Sequence, residues 1–119
     1  MQNPRTDLLA LFSSREGHFK LESGHHGNLW LDLDHLFLRP QKLQPFIAEL
    51  AQRLAKFEVK GVCGPLLGGA LLAQVIAIEL NIEFYYTERF VNPQADGLYS
   101  VEYRLPKPLQ EAIRGKRRV

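Results

Sequence analysis

VKGVCGPLLGGALLAQVIAIEL, residues 59–80, is the stretch that decides the fold. Its first part, 59–63, is short and apolar and reads as a buried strand. Gly64, Pro65, Leu66, Leu67, Gly68 and Gly69 then form a turn, and residues 70–80 read as a helix. That helix carries Leu71, Leu72, Val75, Ile76 and Ile78 and is apolar nearly all round, so cover on most sides is expected. Asn81 closes it, and 82–87 reads as a second strand. Strand, Gly-rich turn, helix, strand is a βαβ unit, and short apolar strands suit a parallel sheet. The class is α/β.

Upstream the period changes. Leu43, Phe46, Ile47, Leu50, Leu54 and Phe57 recur three or four apart, which predicts one apolar stripe on a helix over 40–57. Pro40 and Pro45 fit the start of that helix better than its middle. Before it, Phe19-Lys20-Leu21 and the run 29–33 alternate as strands, joined by the turn formers Ser23-Gly24-His25-His26-Gly27-Asn28. They predict a hairpin lying as a small flap outside the main core. Asn3 and Pro4 open a first helix with Leu8, Leu9, Leu11 and Phe12 on its apolar face, ended by Ser13, Ser14 and Gly17. Downstream come a polar loop over 92–97, a strand over 98–103, a turn bounded by Pro106 and Pro108, and a short helix ending at Gly115. Residues 116–119 read as the lead-in to a further strand.

A chain of 119 residues holds one small domain. With 45% apolar and 24% charged residues it has ordinary globular composition, which excludes wholesale disorder. A net charge of +2 makes no case for nucleic acid or a membrane surface. The late cluster Arg114, Lys116, Arg117 and Arg118 reads as a solvated loop. Cys63 is the only cysteine, so no intrachain disulfide forms, and its apolar neighbours mark it as a small core residue rather than a nucleophile. No basic-then-apolar leader opens the sequence and no apolar run approaches the ~20 residues that span a bilayer. A cytoplasmic location is expected.

The turn at 64–69 is the strongest chemical signal. Glycines admit a close ligand, and N–H groups at a helix start favour a phosphate or pyrophosphate oxygen. A tight connection with glycines for packing alone explains the same residues, and the spacing matches neither the dinucleotide fingerprint nor the P-loop. His18, His25, His26 and His35 suggest a metal at first sight, but only His25-His26 is clustered, adjacent residues diverge, and no metal site is expected. Asp32 and Asp34 share a strand face by alternation, which reads as a solvated edge rather than an acid–base pair.

Gly17-His18-Phe19-Lys20-Leu21-Glu22-Ser23-Gly24, followed by Leu29-Trp30-Leu31-Asp32, resembles the G-x-F-x-L-x-S-G … Y-x-D signature of orotate phosphoribosyltransferases. The turn Gly64-Pro65-Leu66-Leu67-Gly68-Gly69 is similar to that family's pyrophosphate loop, in the same order and between the same kinds of element. The resemblance implies a type I phosphoribosyltransferase: a parallel α/β core with a small N-terminal hood, here a hood over about 17–38 and a core from about 40. It implies a homodimer, and transfer of ribose 5-phosphate from phosphoribosyl pyrophosphate to orotate or a related nitrogenous base, with Mg²⁺ on the pyrophosphate. It assigns pyrophosphate to residues 64–69 with Arg89, and the base to Ser23 and Gly24 of the hood.

Three departures qualify that expectation. The family's mobile loop carries an Arg-Lys pair, a further Lys and a His-Gly. The corresponding stretch, 88–97, keeps Arg89 and has no lysine or histidine. Some members place a lysine before the Ser-Gly of the hood, where this chain has Glu22. The family's phosphoribosyl-binding motif is expected just after Lys116-Arg117-Arg118-Val119, so the sequence reads as a partial domain, truncated before that motif and inactive by itself. The alternative expectation is a non-catalytic regulatory or interaction module that keeps the fold and dimerises.

Overall fold

The computed structural model describes residues 4–32, 35–94, 97 and 100–119. After a first helix, α1 (Pro4–Leu9), two strands, β1 (Ser13–Lys20) and β2 (His26–Asp32), form an antiparallel hairpin. A 3₁₀ turn (His35–Phe37) leads to α2 (Pro40–Ala55). Then come β3 (Gly61–Pro65), α3 (Gly68–Leu80), β4 (Glu83–Val91), β5 (Val101–Arg104) and α4 (Lys107–Ile113). The second sheet runs β3-β4-β5, with β3 and β4 parallel and β5 antiparallel.

The βαβ unit fixes the core. Leu43 and Ile47 of α2, Val62 of β3, and Ala73 and Ile76 of α3 form one buried cluster, with Ile82 and Phe84 packed against it. Alternation along β4 therefore turns Phe84 toward α2 and α3 and Tyr85 to the opposite face. There Tyr85 is buried, and its hydroxyl donates to the Ala112 carbonyl of α4 at 3.3 Å. Gly61 lies beneath the Tyr85 ring, where any Cβ would come within 2.4 Å of it. At Tyr85 the parallel pair is thus covered on its second face too.

Several boundaries differ from the sequence reading. The hairpin's first strand begins at Ser13, and Ser13 and Ser14 start a strand rather than only ending α1. It pairs out of step between Glu16 and Phe19, and that irregularity hid the strand's alternation. Leu33 and Asp34 lie outside the described residues, so the shared face expected for Asp32 and Asp34 is not described. Helix α2 stops at Ala55, and Phe57 is exposed rather than the last residue of the stripe. Pro45 sits inside α2, not at its start. The third strand falls at 61–65, two residues later than expected. Helix α3 is less covered than its composition implied, since Leu71 and Ile78 are exposed. The strand expected to end at 87 runs on to Val91 because β5 pairs with its second half, Glu88 opposite Arg104 through Val91 opposite Val101. Leu98 and Tyr99, expected in the next strand, lie outside the described residues.

The lead-in expected at 116–119 lies beside β3. Arg118 bridges Gly61 in parallel, and Cys63 N–H donates to the Val119 carbonyl at 2.6 Å. Lys116 pairs with Glu83, which also accepts the Tyr85 hydroxyl, so one small polar cluster ties this segment to β4. Lys116 and then Tyr85 hold the Glu83 carboxyl below the usual carboxylate range, and the same contact with Glu83 raises Lys116. A depressed carboxyl stabilises the fold above the ordinary carboxylate range and loses that contribution as pH falls through its lowered pKa. A raised lysine contributes below the ordinary lysine range and loses it as pH rises through its raised pKa. Lys116→Met should therefore move the acid-unfolding midpoint, followed by far-UV circular dichroism, to higher pH. An unchanged acid limb would show that the cluster contributes nothing to stability.

Candidate functional site

The candidate site lies at the carboxyl ends of β3 and β4, where open α/β sheets place their ligands. Strand pairing persists farther than the sequence suggested: Gly64 is opposite Tyr86 and Pro65 opposite Thr87. Gly64 and Pro65 are therefore strand residues, and Gly68 and Gly69 already belong to α3. The turn proper is Leu66-Leu67, joined by a cis peptide, with Leu66 N–H donating to the Thr87 carbonyl at 2.9 Å.

Close approach explains the glycines. A Cβ on Gly64 would stand 2.1 Å from the Gly69 carbonyl oxygen, and one on Gly69 would stand 2.5 Å from Pro65 Cδ. Side chains at these positions would force the strand end and the helix start apart. Leu67 is the residue before the helix and offers no side-chain cap. The first N–H groups of α3, on Gly68, Gly69 and Ala70, thus meet the partial positive charge of the helix start with no capping side chain across them. The leucines at 66 and 67 are exposed beside them. This arrangement suits an anion and not a cation: its donors are N–H groups. Among the described residues no three His, Cys, Asp or Glu come together as a group that could hold a metal.

Arg89 was expected in a mobile loop but lies on β4, two residues beyond Thr87 and directly across from Tyr103 of β5. Its Nε stands 3.6 Å from Glu22 Oε2 in the hood. The other oxygen of Glu22 accepts the Tyr103 hydroxyl at 2.6 Å, which raises the Tyr103 pKa. Sequence reasoning singled out Glu22 for its sign but missed Tyr103, 81 residues away, because only the β4–β5 register brings the two together. Ser23 and Gly24 occupy the hairpin turn. Ser23 Oγ lies 3.0 Å from His25 Nδ1 and accepts the His25 N–H at 3.3 Å, while Gly24 N–H donates to the Leu21 carbonyl at 2.9 Å. His26 meets not its neighbour His25 but His18 across the hairpin, with Nε2 and Nδ1 2.7 Å apart. His35 pairs with Asp32 at 2.9 Å. Cys63 is half-buried, and burial raises its pKa, consistent with a packing role.

No family model matches the chain. Curated relatives do. Orotate phosphoribosyltransferase of Desulforamulus reducens is 33% identical over 89 residues, covering 71% of this chain and 47% of that protein. The enzyme of the same name from Carboxydothermus hydrogenoformans is 37% identical over 89 residues, covering 70% and 47%. The chain is an orotate-phosphoribosyltransferase-like member of the type I phosphoribosyltransferases. It spans about half the length of these relatives. The fold agrees. Adenine phosphoribosyl transferase from Trypanosoma brucei, solved with AMP, pyrophosphate and ribose-5-phosphate, matches with a TM-score of 0.58 at 18% identity. That match covers 80% of this chain and 40% of that one. The α/β architecture is thus shared with that solved phosphoribosyltransferase. Among its described residues no helix is long and apolar enough to cross a membrane.

The turn's geometry sets an order among glycine substitutions. Gly64→Ala drives a methyl into backbone and should destabilise by about 1–3 kcal/mol or more. Gly68→Ala, whose Cβ would meet only Phe37 Cε2 at 3.4 Å, should be tolerated. Urea unfolding checks the order, and equal losses at both positions would contradict the close approach of β3 and α3.

Proposed function

We propose that this orotate-phosphoribosyltransferase-like chain supplies the pyrophosphate-binding and base-facing part of a phosphoribosyl transfer in cytoplasmic pyrimidine nucleotide synthesis. In that reaction a ring nitrogen of orotate or a related base bonds to C1 of the ribose as the bond from C1 to the pyrophosphate oxygen breaks. The observation that carries the reading is the uncapped start of α3, pressed against the end of β3 by Gly64 and Gly69. Backbone donors fixed there stabilise charge as it collects on the departing pyrophosphate. The Trypanosoma brucei neighbour was solved with pyrophosphate and ribose-5-phosphate, and a fold shared with it supports the same ligand class here. Ser23 and Gly24 face the base from the hood. Mg²⁺, when bound with the donor, supplies further neutralisation of the pyrophosphate.

Turnover by these 119 residues alone should be slight. Between residues 88 and 97 the cationic contribution rests on Arg89, and Arg89 is engaged by Glu22. That internal pair also favours the second reading, a module that keeps the fold and binds an anion without catalysis. The exposed Leu67, Leu71 and Ile78 support self-association as a homodimer.

Isothermal titration with inorganic pyrophosphate tests the turn. Gly68→Val covers the helix start with a better helix former than glycine, so a thermal melt should stay close to that of the parent. Its affinity for pyrophosphate should fall by roughly tenfold, the scale of one charge-assisted hydrogen bond. Equal affinity in the two proteins would remove the turn from the function.

A further inference from the structure

We propose that Arg89 and Tyr103 form an oxyanion seat beside the turn, and that the chain fills this seat with its own Glu22. The two residues are cross-strand partners in the antiparallel β4–β5 ribbon, so their side chains stand on one face as neighbours. One brings a guanidinium and the other a hydroxyl, the donor pair that recognises a compact oxyanion. What sits on them is an oxyanion: Glu22 presents Oε1 to the Tyr103 hydroxyl at 2.6 Å and Oε2 to Arg89 Nε at 3.6 Å. The hydrogen bond to that carboxylate makes the phenol hold its proton more tightly.

The occupant is replaceable. Arg89 and Glu22 side chains are 53% and 49% exposed, so water and salt screen their attraction and the pair is weakly held. A free anion carrying several charges, such as pyrophosphate, competes for the same donors with a larger Coulombic attraction than one carboxylate. Glu22 directly precedes Ser23 and Gly24, so its contacts tie the turn of the hood to the β4–β5 ribbon. The seat lies on β4 just past Thr87, whose carbonyl receives the Leu66 N–H, and hence at the same sheet end as the turn. The choice of pyrophosphate as ligand rests on the function proposed above; the seat itself rests on the three side chains.

Inorganic pyrophosphate is titrated into the parent chain, Glu22→Gln, Glu22→Gln/Arg89→Gln and Gly68→Val, with circular dichroism confirming that each folds. Glu22→Gln keeps the shape of the side chain and an acceptor for Tyr103 while removing the competing charge. It should bind pyrophosphate about five- to tenfold tighter than the parent, as expected when a surface ion pair no longer competes. The added Arg89→Gln change should abolish the gain. Unchanged affinity in Glu22→Gln, or a gain that survives loss of Arg89, overturns the seat. If Gly68→Val weakens binding while Glu22→Gln has no effect, the turn stands and the seat fails. If Gly68→Val has no effect while Glu22→Gln tightens binding through Arg89, the seat stands and the turn fails. Absence of binding by every variant defeats both.

Discussion

The end of β3 and the start of α3 touch backbone to backbone, and most of the molecule is arranged by that contact. Gly64 and Gly69 leave no room for a Cβ between strand and helix, so α3 starts immediately after a two-residue turn. From there its small residues, Ala70, Ala73 and Ala77, run buried along the sheet. A helix held that close brings Ile76 onto Val62 and lets α2 lay Leu43 and Ile47 over both. Burial of these side chains is worth roughly 1.5–3 kcal/mol for each large one, and it is available only while the strand and helix stay in contact. The N–H groups at the mouth are uncapped for a separate reason: the residue before α3 is Leu67, whose exposed side chain carries no acceptor.

Much of this was legible in residues 59–80. A short apolar run, clustered glycines and a long apolar segment admit few arrangements, and parallel pairing of β3 with β4 follows from the intervening helix. The boundaries were less legible, for physical reasons. Gly64 and Pro65 look like turn residues by type, yet the ladder to Tyr86 and Thr87 holds them in the strand. Arg89 looked like a loop residue because the family resemblance sets 88–97 against a mobile loop. An edge ribbon open to solvent tolerates polar side chains, and β5 extends β4 through them. The exposed Ile78 shows the limit of composition as a guide to burial. A helix that is apolar all round still needs a neighbour on each side, and among the described residues none covers Ile78.

The hood illustrates a different limit. Ser23 and Gly24 were recognisable from their motif, but what they do locally depends on register. The irregular pairing between Glu16 and Phe19 carries His18 to His26, a meeting that sequence separation does not announce. Likewise, Glu22 reads as a residue of the wrong sign if the only question is whether phosphate binds beside it. Once Arg89 and Tyr103 stand opposite, its charge has a partner within the chain.

That partnership bears on how charge can be managed at this sheet end. The start of a helix contributes about half an elementary charge, spread over its first N–H groups. On the function proposed above, the departing pyrophosphate would carry several negative charges, more than the start of α3 can neutralise. The remainder must come from mobile or side-chain cations, and Arg89 is the one that β4 delivers nearby. As long as Glu22 holds Arg89, the site has donors for position but little net positive charge. Releasing Arg89 adds a full charge at the cost of a half-exposed ion pair, which is a small cost. On that proposal the balance at this site is set less by the glycine turn, which is fixed by packing, than by which anion occupies Arg89.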